Sequence, residues 1–385
     1  MSLSGTLMRG LVLGTVAGVM YVASRRVGSE PPRLIQWDRV RRLSEEIGRR
    51  EQSEIPIPTL GVVDRYRQMV GESERVIAGY LDQRLPLPLE HVEVFDRNQW
   101  IAANIASFRL LFEPLETMNR DAMRGTTLGT QIFGELNQTV LSGQLGVLLG
   151  YLAKRVLGQY DGALLGREPV TTGRLYFVEP NIDITIRRLD LQGDDFRRWI
   201  ALHETTHAFE FEAHPWLRDY MNNLLQRYFD TVGQDLGRFA FGPGGMVGLA
   251  QRVVQNASKT RTPLELFMSV EQQEIFQKLQ SLMCLLEGFS NHVMDVVGRD
   301  LLPSFPWMKR QFEARHKNRS VGEQLFTRLT GLDLKFEQYI LGEKFVNAAV
   351  AAEGIARFNR VWSGPHTLPT MAEIYEPERW QERLR

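Results

Sequence analysis

The pattern of apolar positions predicts a helix over about 194–213. The polar and acidic residues Gly193-Asp194-Asp195 suit a helix start, and Pro215 disfavours helical backbone at the residue before it. Between these two signals the inward-facing positions recur at steps of three and four residues, at Phe196, Trp199, Ile200, His203 and His207. This spacing places both histidines on the apolar, inward-facing side of the helix.

A second pattern of the same kind predicts a helix over 270–297. The sequence Ser269-Val270-Glu271-Gln272 is a capping box, which marks a helix start, and Gly298 marks the expected end. The apolar stripe between them consists of Ile275, Leu279, Leu282, Leu286, Phe289, Val293 and Val296. Glu287 lies beside this stripe, so its carboxylate is expected near the protein interior.

The remaining patterns predict an α+β fold that is predominantly helical. Leu34–Gln83 and the stretch from Asn98 to about Tyr160 are mainly helical in pattern, with a break at Leu85-Pro86-Leu87-Pro88. Arg174–Val178 is typical of a strand. The small residues Gly143, Gly146 and Gly150 predict that two helices pack backbone to backbone.

Composition narrows the functional classes. Lys plus Arg and Asp plus Glu are both 46, so the net charge is zero and no basic excess indicates a nucleic-acid partner. With 43% hydrophobic residues, the chain can bury a sizeable core. The single Cys284 excludes an internal disulfide framework and a cysteine-rich zinc site.

The N-terminal residues differ from the rest of the chain. The uncharged run Gly10–Ser24 is shorter than the ~20 residues that a membrane-spanning helix needs. Tyr21-Val22-Ala23 also places a bulky residue where signal-peptide cleavage prefers a small one. Membrane contact by residues 10–24 is therefore not favoured, and a cytoplasmic protein is expected, with membrane anchoring or export as the alternatives.

The expected organisation is an apolar segment over 1–30 followed by a single helix-rich body over 31–385. No Pro/Gly/Ser-rich linker long enough to separate two domains interrupts this body. A subdivision into a helical part, 31–165, and a catalytic part, 166–385, remains an alternative.

The motif that carries chemistry is His203-Glu204-Thr205-Thr206-His207. Histidines four residues apart on a helix lie about 6 Å apart along its axis, so both imidazoles can reach one zinc ion. Glu204 stays free to take a proton from a water molecule that the metal activates. The sequence therefore predicts Zn²⁺ bound by His203 and His207, with Glu204 as the catalytic base.

A third protein ligand is required, and Glu287 is the better of two nearby candidates. His214 is one residue too late for the metzincin pattern and would lie about 10 Å further along the helix than His207. Glu287 is a carboxylate among apolar neighbours, which suits a buried ligand. The segment Glu287-Gly288-Phe289-Ser290 also resembles the glutamate helix of gluzincin metallopeptidases, in which an Asp four residues after the ligand orients a histidine.

Residues that follow Glu287 in the sequence are candidates for orienting a metal ligand or for stabilising the transition state. Asn291 stands where gluzincins have that Asp, so the orienting role is expected at Asn291 or at Asp295. His292 lies about 140° around the helix from Glu287, so the two cannot easily bind one ion. We expect His292 to pair with Asp295, three residues on. A role in steadying the transition state is the alternative for His292.

Several motifs along most of the chain resemble a bacterial family of zinc-dependent-metalloprotease-like proteins. Members are usually described as hydrolases, and one branch is named for its genomic association with deazaflavin coenzyme biosynthesis. The resemblance implies a zincin-like, helix-rich architecture and hydrolase activity, and it brings no established substrate. The motifs that carry it are Trp37-Asp38, Arg97–Asn104, Val156–Asp161, Pro180-Asn181-Ile182, His203–His207, Pro215–Arg218, Glu287-Gly288, His292–Asp295, Asn359–Trp362 and Leu368-Pro369-Thr370.

Together these features predict a zincin-like zinc hydrolase of gluzincin type. His203, His207 and Glu287 hold the metal, Glu204 moves the proton, and a peptide or another amide is the expected substrate. The alternative from a different class is a non-catalytic protein in which zinc stabilises a binding scaffold. A fourth protein ligand would favour the scaffold, and an open coordination position would favour the enzyme.

Overall fold

The computed structural model describes residues 33–49, 60–123, 128–162, 173–239, 268–317 and 333–385. The apolar N-terminal segment predicted over 1–30 lies outside the described residues. Among the helices within these ranges, none combines the length and hydropathy that a membrane crossing requires.

Helices make up most of the described chain, as predicted. The longer ones are α1 (Trp37–Arg49), α2 (Leu60–Leu81), α3 (Arg97–Met123), α4 (Leu128–Ala153), α5 (Glu179–Leu189), α6 (Gly193–Glu212), α7 (Trp216–Phe239), α8 (Val270–Leu301), α9 (Phe305–Lys317) and α10 (Asp333–Glu353). The C-terminal part contains α11 (Ile355–Phe358), a 3₁₀ turn over Asn359–Ser363, α12 (Met371–Tyr375) and α13 (Pro377–Arg383).

A small sheet of three strands accompanies the helices. Its strands are β1 (Val92–Phe95), β2 (Gly158–Asp161) and β3 (Arg174–Val178), in the order β1-β3-β2. The central strand β3 pairs with β1 in parallel and with β2 in antiparallel orientation. The helix predicted from Asn98 to about Tyr160 is wrong at its end, because α4 stops at Ala153 and the chain turns into β2.

The two helices that carry the candidate ligands form where the apolar pattern places them. α6 begins at Gly193, and the side chain of Gln192 caps it by accepting a hydrogen bond from the backbone N–H of Asp195. The predicted capping box at the start of α8 is present, with Ser269 and Gln272 each bonding the other's backbone. The predicted end at Gly298 is wrong, since α8 continues to Leu301.

The glycine spacing in α4 produces the predicted close packing. A Cβ atom at Gly146 would lie 3.0 Å from Leu43, and one at Gly150 would lie 2.7 Å from Ile47. The hydroxyl of Ser44 donates a hydrogen bond of 3.0 Å to the carbonyl oxygen of Gly146, which joins α1 to α4 directly. Small residues therefore let these two backbones approach, as the spacing indicates.

A second close approach joins α8 to α10 one residue after Glu287. A Cβ atom on Gly288 would lie 2.2 Å from the carbonyl carbon of Gly342, and one on Gly342 would lie 1.9 Å from the carbonyl oxygen of Cys284. Both contacts are with backbone atoms, so no side-chain rearrangement can relieve them. The two glycines thus fix the position of the turn of α8 that carries Glu287.

We expect Gly342→Ala to lower the free energy of unfolding by about 3 kcal/mol or more, because the two helix backbones must separate. The matched control is Gly71→Ala in α2, where a Cβ atom meets nothing within 4 Å. That change should raise stability by about 0.5–1 kcal/mol, since alanine favours helix. Urea denaturation of the metal-free proteins measures both. Equal stability of Gly342→Ala and the wild type would show that α8 and α10 do not pack this closely.

Three apolar clusters form the core. The largest surrounds α8 and includes Phe289, Phe345 and Trp380, all almost fully buried. Each cluster takes residues from both sides of position 165, for example Tyr66 with Phe177 and Trp100 with Val178. The helices before the sheet and those that carry the site therefore pack against each other.

Candidate metal centre

The structure brings His203, His207 and Glu287 together. One nitrogen or oxygen atom from each lies within 4.8 Å of the other two. Both histidines project from α6 and Glu287 projects from α8, so the cluster forms where these two helices pack. His203 and His207 are largely buried, and Glu287 is 5% exposed.

The distances within the cluster suit a shared metal ion better than direct hydrogen bonds. Nε2 of His203 is 3.6 Å and Nε2 of His207 is 3.9 Å from Oε2 of Glu287. Hydrogen bonds between such atoms are about 2.7–3.2 Å long. Ligand atoms about 2.1 Å from one tetrahedral zinc ion lie roughly 3.4 Å from each other. Two imidazoles and a carboxylate are also the donor set that zinc uses in catalytic sites, so the residues fit the ion.

A buried carboxylate that the sequence analysis did not assign lies behind His207. Oε2 of Glu210 is 2.7 Å from Nδ1 of His207, the ring nitrogen opposite the one that faces Glu287. The hydroxyl of Ser290 lies 3.3 Å from Oε1 of Glu210 and 3.1 Å from the same His207 nitrogen. Glu210 is 1% exposed. The signal available in the sequence was a Glu three residues after a ligand-type histidine, between Phe209 and Phe211.

The carboxylates around His207 govern its charge. Burial opposes protonation of the ring, but Glu210, Glu287 and Glu204 outweigh it and raise the pKa of His207 to about 9. The metal-free site therefore keeps a proton on this imidazole near neutral pH. A metal ion that binds Nε2 must displace a proton from that atom.

Glu204 lies against the first residue of β2. A Cβ atom on Gly158 would come within 2.6 Å of both Cγ and Oε1 of Glu204. Only a residue without a side chain leaves room for the carboxylate at this position. The sheet edge and the residue between the two histidines are thus in direct contact, a feature that the sequence analysis did not predict.

We expect Gly158→Ala to lower turnover about 10- to 100-fold, because the new methyl group must displace the Glu204 carboxylate. Zinc content should stay at the wild-type level, since the three atoms nearest to the added methyl group all belong to Glu204. Hydrolysis of a peptide library and bound zinc are measured in parallel, with Gly71→Ala as the control glycine variant. Unchanged turnover would contradict the assigned position of Glu204.

His292 lies in a different network from the one expected. Its Nε2 is 2.7 Å from the hydroxyl of Tyr80 in α2, and its Nδ1 is 2.6 Å from Oδ1 of Asn347 in α10. Burial lowers the pKa of His292, so the ring is neutral and both of its nitrogens are engaged. The hydrogen-bond partners of His292 are therefore Tyr80 and Asn347, and the expected partner Asp295 interacts with the ring only through its charge.

The other two predicted positions around Glu287 also differ in role. The carboxylate of Asp295 forms a salt bridge with Lys309 of α9. The atoms that contact Nδ1 of His207 belong to Glu210 and Ser290 rather than to Asn291 or Asp295. His214, already excluded as a ligand by its spacing, stacks on Trp362 with the ring centroids 5.3 Å apart.

Comparisons with known proteins identify a family and a related crystal structure. Residues 35–381 match the profile of a family described as zincin-like metallopeptidase. A crystal structure from Chloroflexus aurantiacus, described as "a putative hydrolase with a novel fold", is 41% identical to this chain and superposes with a TM-score of 0.66. That match covers 91% of this chain and 98% of the other. Among curated proteins, none matches the chain.

The family match extends over almost the whole chain and confirms the resemblance seen in the sequence motifs. It also agrees with the α+β, predominantly helical architecture. The chain belongs to the zincin-like metallopeptidase family.

Proposed function

We propose that the protein is a zinc-dependent hydrolase of gluzincin type that cleaves a peptide or a related amide. The observation that carries this proposal is the meeting of His203, His207 and Glu287 between α6 and α8, with Glu204 on the same helix as the histidines. Membership of the zincin-like metallopeptidase family supports it.

The four side chains divide into three ligands and one base. The two imidazoles and the Glu287 carboxylate would hold the ion, because their facing atoms are at ligand spacing. Zinc bound there would supply a Lewis acid that polarises a carbonyl and lowers the pKa of water towards ~7. Glu204 would accept the proton of the attacking water and pass it to the leaving amine.

The edge of the sheet supports an extended peptide as substrate. The backbone N–H of Val178 donates to the carbonyl of Leu157, so in this antiparallel pair residues 157, 159 and 161 bond to β3. The backbone groups of Gly158 and Tyr160 therefore point away from β3, and no strand of the described residues covers them. An extended peptide can pair with such an edge, and Gly158 would place it beside Glu204.

The rival class is a scaffold that zinc stabilises without catalysis. Structural zinc sites have four protein ligands, whereas catalytic sites have three and an open position. Within the described part of the chain, the cluster contains three such side chains. This count favours the hydrolase.

The test combines metal content with activity. Purified wild-type protein should contain close to one zinc ion per chain by mass spectrometry and should cleave members of a broad peptide library. Chelation should abolish cleavage, and added zinc should restore it. Tight zinc binding without cleavage of any library member would favour the scaffold, and absence of zinc binding would refute both classes.

A further inference from the structure

The least explained group beside the metal cluster is the carboxylate of Glu210. Its side chain is fully buried, and a buried carboxylate destabilises a protein unless it is paired and hydrogen-bonded. Both of its oxygens have partners, and both partners belong to the cluster region. Oε2 faces Nδ1 of His207 at 2.7 Å, and Oε1 accepts from the hydroxyl of Ser290 at 3.3 Å.

We propose that Glu210, together with Ser290, is the positioning residue of the metal centre. The inference rests on the proposed zinc function and adds to it a group that holds one ligand in place and joins the two ligand-bearing helices. Glu210 acts through His207 and does not touch the metal or the substrate. It takes the role that the sequence comparison with gluzincins assigned to Asn291 or Asp295.

The first part of this role is to fix the tautomer of His207. The 2.7 Å contact joins a ring nitrogen to a carboxylate oxygen, and in this pair Nδ1 donates its hydrogen to Oε2 of Glu210. Once the ring gives up its other proton to bind a metal ion, the lone pair lies on Nε2, the atom that faces Glu287. Carboxylates that orient a ligand histidine in this way also increase its basicity towards the metal.

The second part is to set the two helices relative to each other. Ser290 lies three residues after Glu287 on α8, and Glu210 lies three residues after His207 on α6. The hydrogen bond between Ser290 and Glu210 therefore connects the turns next to the two ligands. A displacement of Glu210 would move both His207 and the turn of α8 that carries Glu287.

Other buried polar groups near the metal cluster have different partners from those of Glu210. Nδ1 of His203 is buried and has no hydrogen-bond partner among the described residues. Asp295 forms a salt bridge with Lys309.

Glu212, two residues further on α6, is also buried but accepts hydrogen bonds from Tyr160 and the backbone of Gly173. Glu212 is therefore a matched control for the loss of a buried carboxylate near the site.

The experiment compares Glu210→Gln, Glu210→Ala and Ser290→Ala with the controls Glu212→Gln and Asp295→Asn. The zinc dissociation constant is measured by competition with a chromogenic chelator. The absorption spectrum of the cobalt-substituted protein reports the geometry of the ligands. The thermal midpoint of each metal-free protein reports folding, so that a loss of stability is separated from a loss of affinity.

Glu210→Ala should weaken zinc binding about 10- to 100-fold and change the cobalt spectrum. Glu210→Gln should lose less than Glu210→Ala, because its amide oxygen can still accept from Nδ1 without the charge. Ser290→Ala should weaken zinc binding about fivefold, the value of one hydrogen bond. Both controls should bind zinc within about twofold of the wild type, with an unchanged spectrum.

The outcomes separate this inference from the proposed function. If Glu210→Gln and Glu210→Ala bind zinc as the wild type does while the wild type hydrolyses peptides, the positioning role is wrong and the hydrolase stands. The role is also wrong if Glu212→Gln weakens zinc binding as much as Glu210→Gln. A wild type that binds no zinc would overturn both. If Glu210→Ala fails to fold, the zinc affinity of Glu210→Gln decides whether the positioning role is right, because glutamine has the same shape as glutamate.

Discussion

Replacing Glu204 with Gln should greatly reduce hydrolysis and leave zinc bound. The amide keeps the size of the side chain against Gly158 but cannot accept a proton from water. We expect turnover to fall by about 10²- to 10⁴-fold, the usual contribution of a general base. Zinc per chain, measured by mass spectrometry, should match the wild type, because Glu204 is not among the three clustered ligands.

The control for this prediction is Glu212→Gln, which makes the same chemical change two turns further along α6. Glu212 accepts from Tyr160 and Gly173, and its replacement should also leave zinc in place. Full turnover of Glu204→Gln would refute the assignment of the base even if the metal site is right. Loss of zinc from Glu204→Gln would show that its carboxylate contributes to the ion's coordination.

The elements that the sequence predicted well are those with long periodic patterns. α6 and α8 each combine a polar start with an apolar stripe over several turns, and their packing follows from those stripes. Ligand-type side chains on or beside the two inward faces could therefore be expected to meet. The strands β1 and β2 contain only four residues each, which is too short for an alternating pattern to stand out.

The hydrogen bonds of His292 show that spacing along one helix is not enough to predict the partner of a side chain. A residue three positions away on the same helix is a plausible partner, and Asp295 satisfied that rule. In the structure the partners come from α2 and α10, which lie 212 and 55 residues away in the chain. Packing between helices thus overrides a local pair when it brings better-placed groups to the ring.

Glu210 was missed for a related reason. The metzincin pattern has a glycine at this position, and the sequence analysis gave Glu210 no role. The sequence feature that could have indicated its role was its position three residues after His207. This spacing places Glu210 on the same face of α6, where a carboxylate would be buried. The contribution of Gly288 was likewise visible only as part of a motif, because its close approach to Gly342 depends on a second helix.

Replacing Glu287 should remove zinc and activity together. Structural zinc sites with four protein ligands have an apparent binding free energy of about 10–16 kcal/mol, or roughly 2.5–4 kcal/mol per ligand. Glu287→Ala should therefore weaken zinc binding by about 10²- to 10³-fold, and His207→Ala should do the same. Both values are obtained by competition with a chelator, with folding of the metal-free proteins checked by their thermal midpoints.

Excess zinc separates a lost ligand from a lost base. Added metal should partly restore turnover in Glu287→Ala, because the two histidines still bind the ion weakly and Glu204 is intact. It should not restore Glu204→Gln, whose metal site is already full and whose proton acceptor is missing. If Glu287→Ala keeps wild-type zinc affinity, the carboxylate only lies beside the ion. The cluster of two histidines and a glutamate is then not the set that binds zinc.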